Sequence, residues 1–390
     1  MSIFIYDAVR TPRGKARPEG TLAAFKPQDL VAGLVDALEE RVGDVRQRAD
    51  TLALGCVGQV GAQGGNIALV SKFRAGLRDE ASAYTLNNYC VSGLSAVGHA
   101  AAAVNAGIAD FALAGGVESM SRVPFMGDKA DFYAERALPD RARYFPVAIA
   151  ADILAMDQNL ARDVLDSVTV TSHQKAAVAE ADTVLNRSRI PVRNQDGTVV
   201  LAKDEGVRAS TTKESLAAMQ PAFGEIANAY RAVLGDRTID HRHTIANAPP
   251  ITDGAGLAFV GAQNGLKPRA KILAYAESGG DPQISLTAGF AAMDKALARA
   301  GLSLQDIGRI EFMEAFAVTI AMFLRDRDAD PARVNVAGGH LAKGHPLGAS
   351  GAILLSSLLD TLEASGESTG LIVASGASGV GAAMVVERVN

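Results

Sequence analysis

"CVSGLSAVGHAAAAVNAG" (residues 90–107) runs into "DFALAGGVES" (110–119), and "GHPLGASGAILLSSLLDTLEASG" (344–366) runs into "GLIVASGASG" (370–379). Each passage is a turn, a Gly- and Ser-studded helix start, an Ala- or Leu-rich helix, and a strand ending in Gly and Ser. The two read as copies of one plan. The surrounding rhythm supports this. In the first series, strand-like runs near 3–9, 51–58, 84–88 and 110–117 interleave with helix-like stretches near 28–42, 66–77 and 93–107. In the second, strands near 270–277, 309–314, 369–375 and 381–388 accompany helices near 285–301, 317–326 and 349–364. Strands alternating with helices of that length predict an α/β fold with a parallel sheet.

Between the copies, over about 120–245, the character changes. Helical periodicity persists in "FPVAIAADILAMDQN" and "ARDVLDSVTVTSHQKAAVAEA", but charges are denser and strands are scarce. The stretch "PVRNQDGTVVLAKDEGVRASTTKE" reads as turns and short extended pieces. This is the pattern of an insertion that forms a cap. The division expected is 1–119 with 246–268 as one half, 120–245 as the insert, and 269–390 as the second half.

Bulk properties narrow the function classes. The 390 residues suffice for about two or three domains. Hydrophobic residues at 48% and charged residues at 21% are ordinary for a globular protein. A net charge of −5 offers no basic field to a nucleic acid. Two cysteines make no disulfide framework, and with no signal-peptide pattern at the start this predicts a cytoplasmic protein. The most apolar long window, "VGHAAAAVNAGIADFALAGGV", is broken by His99, Asn105 and Asp110, so it reads as a buried helix and strand and not a membrane span.

Cys90 stands where a strand end turns into a helix. Free cysteine is commonly a small buried hydrophobe. At a helix N-terminus, however, unpaired N–H groups and the helix dipole favour thiolate, as a nucleophile requires. His345, in the equivalent turn of the second copy, is the candidate base. Two equivalent turns on paired half-sheets are expected to face one crevice, and strand carboxyl ends at such crevices are where α/β ligands bind. Three other motifs fail on context. "GESTG" (366–370) sits between helix and strand, the reverse of a nucleophile elbow. "GASGVG" (376–381) is followed by a strand. "HRH" (241–243) lacks further ligands at metal spacing, so no metal site is expected.

With these residues in view the chain resembles the thiolase family over essentially its whole length. "NNYCVSGLSAV" looks like the family's nucleophile loop, and "GGVESMSRVPF" is close to its Gly-Gly-x-Glu-Ser-Met-Ser segment. "EGVRASTTKESLAAMQPAF" is similar to the cap segment that meets coenzyme A, "ITDGAGLAFV" to the strand after it, and "NVAGGHLAKGHPLGASGA" to the Gly-His-Pro block. The resemblance implies five αβαβα layers built from two similar mixed-sheet halves plus an inserted loop domain, assembled as a homodimer or homotetramer. It implies acyl-coenzyme A as substrate, with coenzyme A as substrate or product and no tightly bound cofactor. Cys90 would take the acyl group, His345 would activate it, and the N–H groups of Cys90 and Ala377 would form an oxyanion hole. Arg208 and Pro249 fall at positions that meet coenzyme A.

The departures are equally specific. Ser375 stands where the family has a second cysteine that acts as acid and base. Met313 replaces the asparagine that fixes an oxyanion-hole water, beside Glu314, and cannot donate that hydrogen bond. Pro249 and Pro250 replace a Ser-Gly pair. Three readings follow: thiolysis or Claisen-type condensation through an S-acyl-cysteine; acyl transfer to another acceptor, or thioester hydrolysis, using Cys90 and His345 alone; or a thioester-binding subunit without turnover.

Overall fold

The computed structural model describes residues 2–263 and 265–389. Nine strands carry the architecture: β1 (Ile3–Arg10), β2 (Thr51–Gly55), β3 (Ser82–Leu86), β4 (Phe111–Glu118), β5 (Thr252–Ala262), β6 (Ala270–Gly279), β7 (Arg309–Phe312), β8 (Thr369–Gly376) and β9 (Val380–Arg388). They hydrogen-bond in the order β7-β8-β9-β6-β1-β5-β4-β2-β3. The first half is β1-β5-β4-β2-β3. The second repeats that order as β6-β9-β8-β7, completed by a parallel bridge from Ile310 to Val334. The halves meet where β1 and β6 pair antiparallel, Ile3 opposite Ile272 and Ile5 opposite Ala270.

The repeat seen in the sequence is therefore present in the topology, but the sheet is mixed and not parallel. β5 runs antiparallel to β1 and β4, and β9 runs antiparallel to β6 and β8. Only Ala377–Gly379 separates β8 from β9, and three residues can close a hairpin but cannot make a crossover. Strand–helix alternation carries no trace of that step.

Helix burial sorts the layers. α1 (Pro27–Val42) and α2 (Ile67–Ala75) flank the first half. α1 buries Leu30, Val31, Leu34, Val35 and Leu38, the spacing of a single stripe, and exposes its other face. By contrast α3 (Ser92–Asn105) is buried nearly all round. The cap lies between β4 and β5. It contains α4 (Val147–Asp157), α5 (Arg162–Ala179) and a small ribbon, Val192–Arg193 with Val199–Leu201. α6 (Ala288–Ala300) and α7 (Ala317–Asp326) cover the second half. α8 (Ser350–Ser365) is buried from Ser350 to Leu362 without interruption. The segment Leu347–Ser365 is long and apolar enough to cross a membrane, yet it is packed inside the protein. α3 and α8 form the central layer between the half-sheets.

Glycine lets these two helices touch. A Cβ on Gly93 would lie 2.6 Å from the Gly348 carbonyl oxygen, and one on Gly351 would lie 2.4 Å from the Leu94 nitrogen. The N-terminal turns of α3 and α8, with the residues that precede them, are thereby held side by side.

Candidate active site

The turn from β3 to α3 is built by its own side chains. Tyr89 adopts a left-handed conformation, φ 47°. Ser92 Oγ accepts the Asn88 N–H at 2.7 Å and donates to the Tyr89 carbonyl at 2.6 Å. This sets Cys90 on the wall of a cavity of about 210 Å³. Burial pushes the Cys90 thiol up to about 12, and the charge of Glu118 adds to that. The backbone N–H groups of Ala377 and of Cys90 itself oppose the shift. A helix N-terminus by itself favours a thiolate. Here α3 begins at Ser92, two residues later, and desolvation outweighs the amides. The resting group is a neutral thiol.

His345 reaches the same cavity from the turn before α8. Its N–H donates to the Pro250 carbonyl at 2.7 Å, and Arg13 Nη1 donates to the Gly344 carbonyl at 2.9 Å, so backbone on both sides of the ring is anchored. Nδ1 pairs with Ser350 Oγ at 2.7 Å. Nε2 is buried with no partner among the described residues. Burial, helped by the Arg13 charge, pulls the ring down to about 3. With Nδ1–H donating to Ser350, Nε2 presents a free lone pair: the form a base requires. His340 packs edge-to-face against this ring at 5.1 Å between centroids.

Ala377 and Pro249 line this cavity with Cys90 and His345; Ser375, Met313, Glu314 and Arg208 do not. Ser375 is buried and its Oγ accepts the Gly289 N–H at 3.0 Å, in the first turn of α6. Met313 is 1% exposed and joins the apolar core. Glu314 accepts from Ser172 Oγ (2.8 Å), Leu341 N (2.9 Å) and Asn335 Nδ2 (2.9 Å), tying α5 to the segment that leads into His345. Arg208 is exposed, and its N–H donates to His173 Nδ1 at 3.1 Å. His241 and His243 both pair with Asp152 at 2.7 Å.

Glu118, for which the sequence indicated no role, lines the cavity. Its carboxylate accepts from Val57 N (2.9 Å), Gly58 N (3.1 Å), Gly348 N (3.0 Å) and Gln63 Nε2 (2.8 Å). Because Gly348 is three residues past His345, this is a positioning carboxylate that ties the two halves at the site. Its signal was present in "GGVES", where a charged residue ends a fully buried strand. Val123, Met126 and Tyr144 of the cap wall gave no periodic signal because they lie on irregular chain.

Residues 3–263 match the family model described as "Thiolase, N-terminal domain", and residues 266–388 match "Thiolase, C-terminal domain". A β-ketoadipyl-CoA thiolase of Pseudomonas knackmussii is 38% identical, with 99% of each chain covered. An acetyl-CoA acetyltransferase of Escherichia coli is 33% identical, also over 99% of each chain. The crystal structure of the Bacillus anthracis acetyl-CoA acetyltransferase superposes with a TM-score of 0.86 at 28% identity, covering 100% of this chain and 99% of the other.

Proposed function

This chain belongs to the thiolase family, as an acyltransferase that acts on acyl-coenzyme A, and from that premise we propose that its chemistry runs through Cys90 with His345 as the single base. The observation that carries the reading is the meeting of Cys90, Ala377 and the His345 imidazole, its Nε2 unpartnered among the described residues, on the wall of one cavity. With a neutral thiol and a neutral imidazole at rest, proton transfer accompanies attack.

In thiolysis, Sγ attacks the 3-keto carbonyl of a 3-ketoacyl-coenzyme A while Nε2 takes the thiol proton. The N–H groups of Cys90 and Ala377 hold the oxyanion. Collapse breaks the C2–C3 bond, and the departing acetyl-coenzyme A carbanion takes the proton back from His345, leaving S-acyl-Cys90. Coenzyme A thiol then gives its proton to His345 as it attacks the thioester, and the Cys90 sulfur recovers that proton on leaving. One base completes the cycle. No step is routed through Ser375, whose hydroxyl is bonded to α6. Coenzyme A would enter past Pro249, with no tightly bound cofactor.

The reading extends to a cytoplasmic homo-oligomer. The two free cysteines and the edge position of β3, next to the Cys90 turn, support it.

Intact-mass measurement with acyl-coenzyme A thioesters, paired with a thiolysis assay, is the test. A single acyl adduct on Cys90 is expected, absent in Cys90→Ala. His345→Asn should slow its formation by about 10²-fold or more, whereas Ser375→Ala should spare both acylation and thiolysis. An unmodified mass with every thioester, or an adduct on Cys56, would overturn the reading.

A further inference from the structure

Resting on that reading, we infer that the cavity beyond Cys90 selects an uncharged aliphatic or aromatic acyl group and rejects one that ends in a carboxylate, with Asp128 and Tyr133 as the specificity-determining pair. The wall is apolar on both sides. Met120, Val123 and Phe125 face it from the start of the cap, and Val147, Phe223 and Phe316 from farther along the chain. Among the described residues no lysine or arginine lines this cavity, and its two carboxylates are Glu118 and Asp128.

Those carboxylates differ in what they do. Glu118 is saturated by three backbone N–H groups and Gln63. Asp128 accepts one donor, the Tyr133 phenol, at 3.0 Å to each oxygen. Tyr133 in turn packs edge-on against Tyr144 at 4.9 Å between centroids, and among the described residues the Tyr144 hydroxyl has only the Met126 thioether, at 3.5 Å. An acyl chain with a terminal carboxylate would therefore lose its water, gain no cation, and face Asp128. Burying an unpaired charge and opposing a like charge both count against it. A hydrocarbon or aryl end loses nothing by the same transfer and gains the apolar wall.

The test compares rates of Cys90 S-acylation by hexanoyl-coenzyme A and adipyl-coenzyme A, thioesters of equal chain length that differ only at the far end. Hexanoyl transfer is expected to be faster by about 10²-fold or more. Asp128→Asn should narrow that ratio about tenfold by removing the opposing charge, and Tyr133→Phe should widen it by stripping the carboxylate of its donor. Equal rates in the unaltered protein, or a ratio that neither variant moves, would overturn the inference while leaving the Cys90 mechanism intact. Acylation by neither thioester would overturn the mechanism itself, a different result.

Discussion

His345 shows most clearly what burial does at the scale of one residue. Unfolded, its imidazole titrates near 6.5; in the fold, burial and the Arg13 charge hold it to about 3. The unfolded chain therefore binds a proton that the folded chain refuses, and the contribution to stability is complete above pH 6.5 and falls as pH drops toward 3. Between pH 7 and pH 5 this one group should cost about 2 kcal/mol. Urea denaturation at both pH values checks it: His345→Asn should lose less stability on acidification than the unaltered protein, and an equal loss would remove His345 from the account. Cys90 carries the complementary lesson. Its position before a helix was legible in the sequence. Its protonation state was not, because the walls that desolvate the thiol and the Glu118 charge that adds to the shift come from chain outside that turn.

Among the elements, α3 and α8 decide how the site is assembled. Their existence was plain in the sequence because each is a long run of small and apolar residues behind a Gly- and Ser-rich start, and the glycines at 93 and 351 were visible in "CVSGLSA" and "GASGAIL". Only the structure shows that the glycines face the opposing helix. Gly351→Ala would put a methyl 2.4 Å from the Leu94 backbone nitrogen, which belongs to a buried helix and cannot swing aside. Overpacking there should cost about 1–3 kcal/mol, read as a lower urea midpoint. It should also slow acylation, since moving α8 from α3 moves His345 from Cys90. A midpoint unchanged from the unaltered protein would show that the contact yields freely. Strand faces explain the fate of Ser375 in the same terms. In β8, Ser375 is turned to Gly289 of α6, while the next residue, Gly376, is the one whose Cβ would approach Cys90, 3.1 Å from its nitrogen. Alternation along a strand separates neighbours onto opposite faces, and an alignment that counts residues cannot show which face a serine takes.

For the whole molecule, the duplicated plan was the most legible feature because helices and strands of matching length recur in matching order. The antiparallel members β5 and β9 and the cavity wall of the cap were not legible, the first because a hairpin of Ala377–Gly379 leaves no helix to count, the second because irregular chain has no period. The strand order also ends on β3, whose outer edge pairs with no other strand among the described residues, with Tyr84 39% exposed on it and Phe73 64% exposed on the helix beside it. An edge strand with exposed aromatics nearby is a template for pairing with another chain. Light scattering at micromolar concentration should return twice the 40.4 kDa chain mass or a higher multiple. Charging the edge with Tyr84→Lys should shift the mass toward one chain, and a monomer in the unaltered protein would end the argument.

The antiparallel pairing of β1 with β6 places the nucleophile on one side of a seam and the base, with the Ala377 amide, on the other. Neither side holds a complete set of reacting groups. The molecule is thus a two-key lock: cut between the halves, each piece would be silent, and the appearance of an acyl adduct would report that the two had found one another.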